Sequence, residues 1–356
     1  MTIPLTFITQ DAESTALNRR ESLLHYLTHP LAAPTALPDG ATYADLVAYN
    51  QQRMDYLSGG IVLGTNTVLQ GQLLLTRAFQ ENRARNSGHS GVILSGNSTL
   101  GKTTTAKRLM RWVLDEYSKQ VPDWAAYEQV PVMYVEVPAD SSAKGLLKEF
   151  AAFFGLPVLT RDSTSDLRTK VVAAIRRART QLIVVDELQN LAGRGTGEAV
   201  DLLKGLHNDV AATFLYCGID VMDSSLMNGP RGQQLKNRFT ALHLTRDEWS
   251  NPEQRKQWGG LVQGFEKHLL LRNHPVKTLA PHYHYLWERT GGSIGSLGRL
   301  LTGTAIDLIQ NGADDEILTR ELLDAYTLDH AAEEFYAKVR SRRKASTMTA
   351  TEKVMS

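Results

Sequence analysis

SGNSTLGKTTT, residues 95–105, decides the reading of the whole chain. Its core, Gly96-Asn97-Ser98-Thr99-Leu100-Gly101-Lys102-Thr103, has the spacing G-x-x-x-x-G-K-[ST]. Glycine at the first and sixth positions lets the backbone wrap its N–H groups around phosphate oxygens. Lys102 supplies a point charge for the β- and γ-phosphates, and the Thr103 hydroxyl is placed to bind Mg²⁺. Thr104 extends the hydroxyl run toward the α- and β-phosphates. Chance would produce such a match in a chain of this length about 1% of the time. A strand-like run, GVILSG (91–96), enters the loop, and a helical pattern, TTTAKRLMRWVLDEY, leaves it with its positive end toward the phosphates. The expected ligand is a nucleoside triphosphate with Mg²⁺.

Outward from the loop, further short apolar runs alternate with helical patterns. VPVMYVEVP (130–138), TQLIVVDE (180–187) and ATFLYCG (212–218) read as strands, with ALHLT (241–245) as a candidate fifth. Continuous apolar strands separated by helices imply a parallel sheet covered on both faces. Beyond about residue 250 the strands stop, and EQRKQWGGLVQGFEKHLLLR, PHYHYLWERTGG, SLGRLLTGTAIDLIQNG and TRELLDAYTLDHAAEEFYAKV read as helices. The expected fold class is therefore α/β, a P-loop core with a parallel sheet followed by a small all-helical lid. The domains expected are an N-terminal extension with helices for partner binding (1–60), the nucleotide-binding domain (61–250), the lid (251–328), and a helix end with a flexible basic tail (329–356). YADLVAYNQQRMDYL (43–57) reads as a helix of the extension.

LIVVDE, 182–187, carries the second chemical signal. An apolar strand that ends in two carboxylates is expensive unless they do work. Beside a phosphate loop, Asp186 is expected to hold the Mg²⁺, usually through water, and Glu187 to polarise the attacking water. Alone, the pair would read as solvated acids at a strand end. His282 and His284 in PHYHY lack a third ligand and a helical i, i+4 pairing, so packing or a surface position explains them better than a metal.

Composition narrows the class of protein. Of the 356 residues, 42% are hydrophobic and 22% charged, and the formal net charge is +1, so any nucleic-acid surface must be a local patch. The single cysteine, Cys217, excludes an internal disulfide framework. The opening residues lack the basic start and apolar run of a signal peptide, and no stretch is long enough to span a membrane. A soluble, cytoplasmic protein without a membrane partner is expected.

The loop, the acid pair and the helical lid resemble the AAA+ superfamily of ATPases. That resemblance implies ATP held between neighbouring subunits of a ring or helix, with an arginine from the adjacent subunit touching the γ-phosphate. Arg238, in RGQQLKNRFTALHL (231–244), has the place of that finger, with Arg231 second. GGSIGSLGRLL (291–301) resembles the sensor-2 helix, whose Arg299 would reach the γ-phosphate. The sensor-1 position offers only Cys217 or Asp220 in place of the usual Asn or Thr, which leaves that role unassigned and implies slow hydrolysis.

Within the superfamily the chain looks most like the transposition regulators TniB and TnsC. SGVILSGNSTLGKTTT, the VDELQNL stretch (185–191) and the QLKNRF box (234–239) carry this resemblance over roughly residues 45–310. It implies a homo-oligomer, ring or helical filament, that forms with ATP on double-stranded DNA. Such a polymer selects a target site, in concert with a target-selection protein, and recruits or activates a transposase. Its ATPase would be slow and DNA-stimulated. Candidate DNA contacts are Ser141, Ser142, Lys144 and Lys148, then Arg168, Lys170, Arg176, Arg177 and Arg179, although a solvated helix face accounts for each one equally well. The basic run KVRSRRK (338–344) fits DNA, a transposase, or a plain soluble end. Two other readings stand beside this one: a helicase loader that prefers single strands, and an ATP-switched signalling or defence protein indifferent to DNA.

Overall fold

All five apolar runs form strands, and every pairing is parallel. The computed structural model describes residues 16–37, 40–59, 61–191, 196–224 and 227–354, with 196, 229–231 and 343–354 as backbone only. The strands are β1 (Gly91–Ser95), β2 (Val132–Glu136), β3 (Leu182–Asp186), β4 (Thr213–Gly218) and β5 (Phe239–His243), in sheet order β2-β3-β4-β1-β5. The fifth strand starts two residues earlier than its apolar pattern suggests, because Gly91 pairs with Phe239. β1, β3 and β4 are buried along their whole length, which is why they read as unbroken apolar runs and not as alternating ones.

Parallel neighbours need crossover connections. These are α4 (Lys102–Gln120) after β1, α5 (Ala143–Phe153) and α6 (Thr164–Arg177) after β2, α7 (Thr196–Asp209) after β3, and α8 (Gly229–Lys236) after β4. Two N-terminal helices, α1 (Arg20–Thr28) and α3 (Asn66–Asn82), belong to the same unit, and Leu23 and Leu75 enter its core fully buried. Arg111 of α4 fixes the end of α1 by donating to the carbonyls of Tyr26 (2.8 Å) and Leu27 (3.2 Å). The chain leaves β1, crosses to the far edge at β2, returns through β3 and β4, and then adds β5 on the other side of β1. The carboxyl end of β1 thus lies between those of β4 and β5. This reversal of winding is where open α/β sheets form their ligand crevice.

The described chain divides into this α/β unit, which takes residues up to Pro30 and Gly64–Thr245, and a helical unit of Leu31–Leu63 and Arg246 onward. The helical unit contains α2 (Tyr43–Gly59), α9 (Pro252–His268), α10 (Tyr283–Thr290), α11 (Ile294–Asn311), α12 (Arg320–Ala325) and α13 (His330–Val354). Its core is a leucine stripe on α11 (Leu297, Leu300, Leu301) packed with Trp258, Leu286 and the Tyr56–Leu57 end of α2. The helix at 43–59 is therefore grouped by its contacts with the C-terminal helices. A buried ion pair fastens it there: Arg53 meets Glu316 at 2.6 Å with both side chains fully buried.

One helical pattern is interrupted. TRELLDAYTLDHAAEEFYAKV is two helices, because Asp329 caps α13 by accepting from Ala332 N (3.1 Å) and Glu333 accepts from Leu328 N (2.7 Å). The α13 backbone continues to Val354, through the basic run expected to be a flexible tail. Among the described residues no helix is long and apolar enough to cross a membrane.

Candidate nucleotide site

The glycine loop begins where β1 runs out. Gly96 N donates to Gly218 O at 3.2 Å, and Leu244 N donates to Ser95 O at 2.8 Å, so the loop starts wedged between the ends of β4 and β5. A Cβ on residue 96 would lie 2.6 Å from the Leu244 carbonyl oxygen, which leaves room for glycine alone. Asn97, Ser98 and Thr99 are exposed, whereas Leu100 is buried and pins the loop to the core. Thr99 (φ 64°) and Gly101 (φ 81°) both take left-handed backbone, the alternation that turns consecutive N–H groups into an anion-binding concavity. Gly101 is the N-cap of α4 and supplies no side-chain cap. The first turn of α4 thus keeps its N–H donors and the positive end of its dipole for a ligand.

The Lys102 side chain is 7% exposed and lies under the loop, with Nζ donating to Asn97 O at 2.8 Å. One residue on, the Thr103 hydroxyl donates to Asp186 Oδ2 at 2.8 Å. The fold thus joins two residues 83 positions apart, the two expected to hold the cation. Asp186 is 1% exposed and also accepts from the Tyr134 hydroxyl (3.0 Å) and from Glu187 N (2.9 Å). A buried carboxylate needs such donors. Among the described residues no group of three or more His, Cys, Asp or Glu side chains converges as a metal cage. The pairing of one hydroxyl and one carboxylate fits Mg²⁺, which takes one or two protein oxygens and completes its octahedron with waters and substrate phosphates.

Three features of this acidic corner have no motif behind them. Glu136 ends β2 directly opposite Asp186 in the sheet register. Its carboxyl is raised above the usual range, first by burial and then by the charges of Asp186 and Glu187. Burial also lowers Lys107 on α4, while Asp186 and Glu136 pull it the other way. Tyr134 is raised, by burial and then by Asp186, so its hydroxyl stays protonated and can donate. The only sequence trace of these partners is a polar residue at every second position of the YVE strand end.

Glu187 is half-buried and has φ 56°, a conformation that is strained for a non-glycine residue and turns the side chain away from the line of β3. The turn that follows, Leu188–Leu191, buries both leucines and directs its two amides to neighbouring strands. Asn190 Nδ2 donates to Val137 O beyond β2 at 2.8 Å. Gln189 Nε2 donates to Glu187 Oε2, while Gln189 Oε1 accepts from Ile219 N just past β4 at 3.0 Å. Cys217 is fully buried, and burial pushes its thiol well up. Asp220 sits at φ 44° in the turn after β4. No hydrogen bond among the described residues joins Cys217 or Asp220 to Glu187.

The arginines lie apart from this cluster. Arg238 immediately precedes β5, its carbonyl accepts from Gly91 N (3.0 Å), and Nη1 donates to Asn208 Oδ1 (3.3 Å). That is the amino edge of a parallel sheet whose carboxyl edge carries the glycine loop. A five-residue strand separates the two edges by about 16 Å. Arg238 cannot serve the loop of its own subunit. The side chain of Arg231 lies outside the described residues. Arg299 is exposed on α11 in the helical unit. Several proposed DNA contacts are already engaged within the chain: Lys144 on Asp162 O, Lys170 on Asp162, Arg168 on Asp209, and Arg176 on Asp209 O. Ser142 is the N-cap of α5. Lys148 is exposed, and Arg177 keeps only a loose 4.0 Å pairing with Glu128. His284 stacks on Trp287 and meets Trp249 at a tilt of 47°.

Comparison with known proteins agrees with this architecture. The family model of the bacterial TniB protein matches residues 74–251, half of the chain. No curated protein matches. Among solved structures the chain is similar to the Aeropyrum pernix ORC2 protein in its ADPNP–ADP complexes, with 17% identity over 75% of this chain and 69% of that one, and a TM-score of 0.56. It is also similar to the ORC1 protein of the same organism in complex with DNA, with 14% identity over 85% and 68% and a TM-score of 0.52. At these identities the likeness concerns the fold, which is that of an AAA+ ATPase. The glycine loop, the buried acid of β3 and the strand order all fall within the matched segment, and the chain belongs to the TniB family.

Proposed function

We propose that this protein binds and hydrolyses MgATP, assembles through ATP into a ring or helical filament on double-stranded DNA, and there selects a target site and recruits or activates a transposase. The observation that carries the ATPase reading is the Thr103–Asp186 contact directly beneath a loop shaped for phosphates. Family membership carries the step from ATPase to transposition.

The chemistry follows from the side chains present. The α4 N-terminus and the loop N–H groups bind the phosphates, and Lys102 turns from Asn97 O to the β- and γ-phosphates. Thr103 and Asp186 would hold Mg²⁺, which supplies charge neutralisation on the phosphate oxygens. Glu187 orients a water in line with the γ-phosphorus. As the water oxygen bonds to phosphorus and the bond to the β-phosphate oxygen breaks, Glu187 takes the water proton and ADP and phosphate are formed. Arg238 of a neighbouring subunit meets the developing charge, a role supported by its place at the amino edge of the sheet, away from the glycine loop of its own subunit. Arg299 of the helical unit is the proposed lid contact to the γ-phosphate. A net charge of +1 suits a filament, because each subunit need neutralise only a few phosphates when many bind side by side.

The test is electron microscopy of the protein with duplex DNA in the presence of an ATP analogue, ADP or no nucleotide, alongside phosphate-release assays. Ordered assemblies on duplex that need the analogue are the expected result. Nucleotide-dependent rings that ignore DNA would overturn the transposition reading, and absence of phosphate release would overturn the ATPase reading.

A further inference from the structure

The turn after β4 touches both halves of the nucleotide site. Gly218 O accepts from Gly96 N, the first residue of the glycine loop, and Val221 N donates to the buried Ser95 hydroxyl at 3.2 Å. Between them, Ile219 N donates to Gln189, whose amide holds Glu187. The orientation of that amide is fixed by chemistry. A backbone N–H can only donate, so the amide oxygen must face Ile219 and the NH₂ must face the Glu187 carboxylate. Residue 218 also has to be small, since a Cβ there would stand 2.5 Å from Gln189 Oε1.

From this geometry we infer that Gln189 is a positioning residue for Glu187, coupling it through the end of β4 to the glycine loop in place of a polar side chain on β4 itself. The inference rests on the ATPase reading above. A single short turn, Gly218–Val221, then sets the register of the phosphate loop and, through one amide, the aim of the carboxylate that orients water. A shift of Gly96 as the loop closes on phosphate is passed to Gly218, and from Ile219 to Glu187. Glu187 lies just past the end of β3 at φ 56°, so strand register does not set the direction of its side chain, and the Gln189 amide is placed to do so. A tether of this kind affects the chemical step more than nucleotide binding, because Gln189 makes no hydrogen bond to the loop, Lys102, Thr103 or Asp186 among the described residues.

The test uses the full chain with two single variants and their combination. Gln189→Met keeps the length and removes both hydrogen bonds, and Gly218→Ala crowds the oxygen of an unaltered Gln189 at 2.5 Å, together with the Val221 side chain at 2.8 Å. Each is expected to lower kcat on the order of 100-fold, the scale of a misplaced catalytic group, while the Kd for a fluorescent ATP analogue stays within about twofold. The double variant is expected to be no slower than either single one, since both remove the same tether. Wild-type kcat in Gln189→Met, a parallel loss of nucleotide binding in both singles, or effects that multiply in the double variant would each overturn the inference. A wild-type protein that binds the analogue and releases no phosphate would instead overturn the ATPase reading on which it stands.

Discussion

The buried Arg53–Glu316 pair gives the sharpest stability test, because its partners lie 263 residues apart and both side chains are fully buried. Glu316 accepts four hydrogen bonds: from Arg53 Nη1 (2.6 Å) and Nη2 (2.9 Å), and from Arg272 N (2.8 Å) and Nε (3.0 Å). Burial alone would raise this carboxyl, but the bonds from Arg53 and Arg272 outweigh it and hold the group below its ordinary value. Glu316→Gln keeps the shape, removes the charge and turns one acceptor oxygen into a donor. Two charge-assisted bonds are then lost at about 1.5–3 kcal/mol each, so roughly 3–6 kcal/mol is expected. That agrees with the roughly 3–5 kcal/mol that follows from orphaning a buried charge. Hydrogen exchange isolates the effect, since α2 amides report the opening of this attachment. A loss of about 3 kcal/mol corresponds to exchange roughly 150-fold faster across Tyr43–Gly59. Arg53→Met with Glu316→Leu should recover most of the loss, because an apolar pair of similar volume often replaces a buried ion pair at little cost. Exchange in α2 within threefold of wild type for Glu316→Gln would refute the burial argument.

Other expectations follow from particular contacts. Tyr134→Phe removes one of the donors on Asp186, so the Mg²⁺ concentration for half-maximal phosphate release should rise about 10- to 100-fold, as read from a metal titration. Arg238→Ala and Glu187→Gln should each be inactive alone, yet equimolar mixing should restore hydrolysis at roughly a quarter of the head-to-tail interfaces. Phosphate release that stays flat on mixing would place Arg238 outside a neighbour's site. Burial pushes Asp247 in the helical unit up to about 6, so its protonated form stabilises the fold below the unfolded value near 4 and that contribution is lost as pH rises through 6. Asp247→Asn should therefore melt with wild type at pH 4 and above it at pH 8, by about 1 kcal/mol after allowance for screening of a half-exposed group.

The legible parts of this fold share a local cause. The glycine loop, the strand before it and the helix after it are written in consecutive residues, and a strand buried on both faces must be an unbroken apolar run. Asp186 and Glu187 stood out because carboxylates at the end of such a run are costly. The TL-D-HAAEE signal that splits α12 from α13 was also available, as an aspartate N-cap with a glutamate in the first turn of the helix. Tyr134, Glu136 and Gln189 carry no such signal. Each matters through a neighbour brought close only by sheet order, 52 residues away for Tyr134 and Asp186, or 30 for Gln189 and Ile219. Basic residues on α5 and α6 show the converse case. Their spacing leaves a phosphate patch and a solvated face open alike, and the intrachain partners of four of them, Asp162 and Asp209, are not near in sequence to all the residues they hold.

Sheet polarity explains why a site with these parts would need a second subunit. The residues proposed as phosphate anchors, metal ligands and water-orienting acid all leave the carboxyl edge of the sheet, where strand ends converge on the glycine loop. A residue that precedes a strand leaves the opposite edge, however short the strand. If Arg238, one residue before β5, serves a neighbour's nucleotide as proposed, hydrolysis becomes a property of an interface. The Gln189 tether adds a second condition within each subunit, since Glu187 is aimed only while the end of β4 is in register with the loop. An ATPase that requires a closed loop and a seated neighbour together would be slow as a free monomer. Its rate would rise on any surface, such as duplex DNA, that lines subunits up.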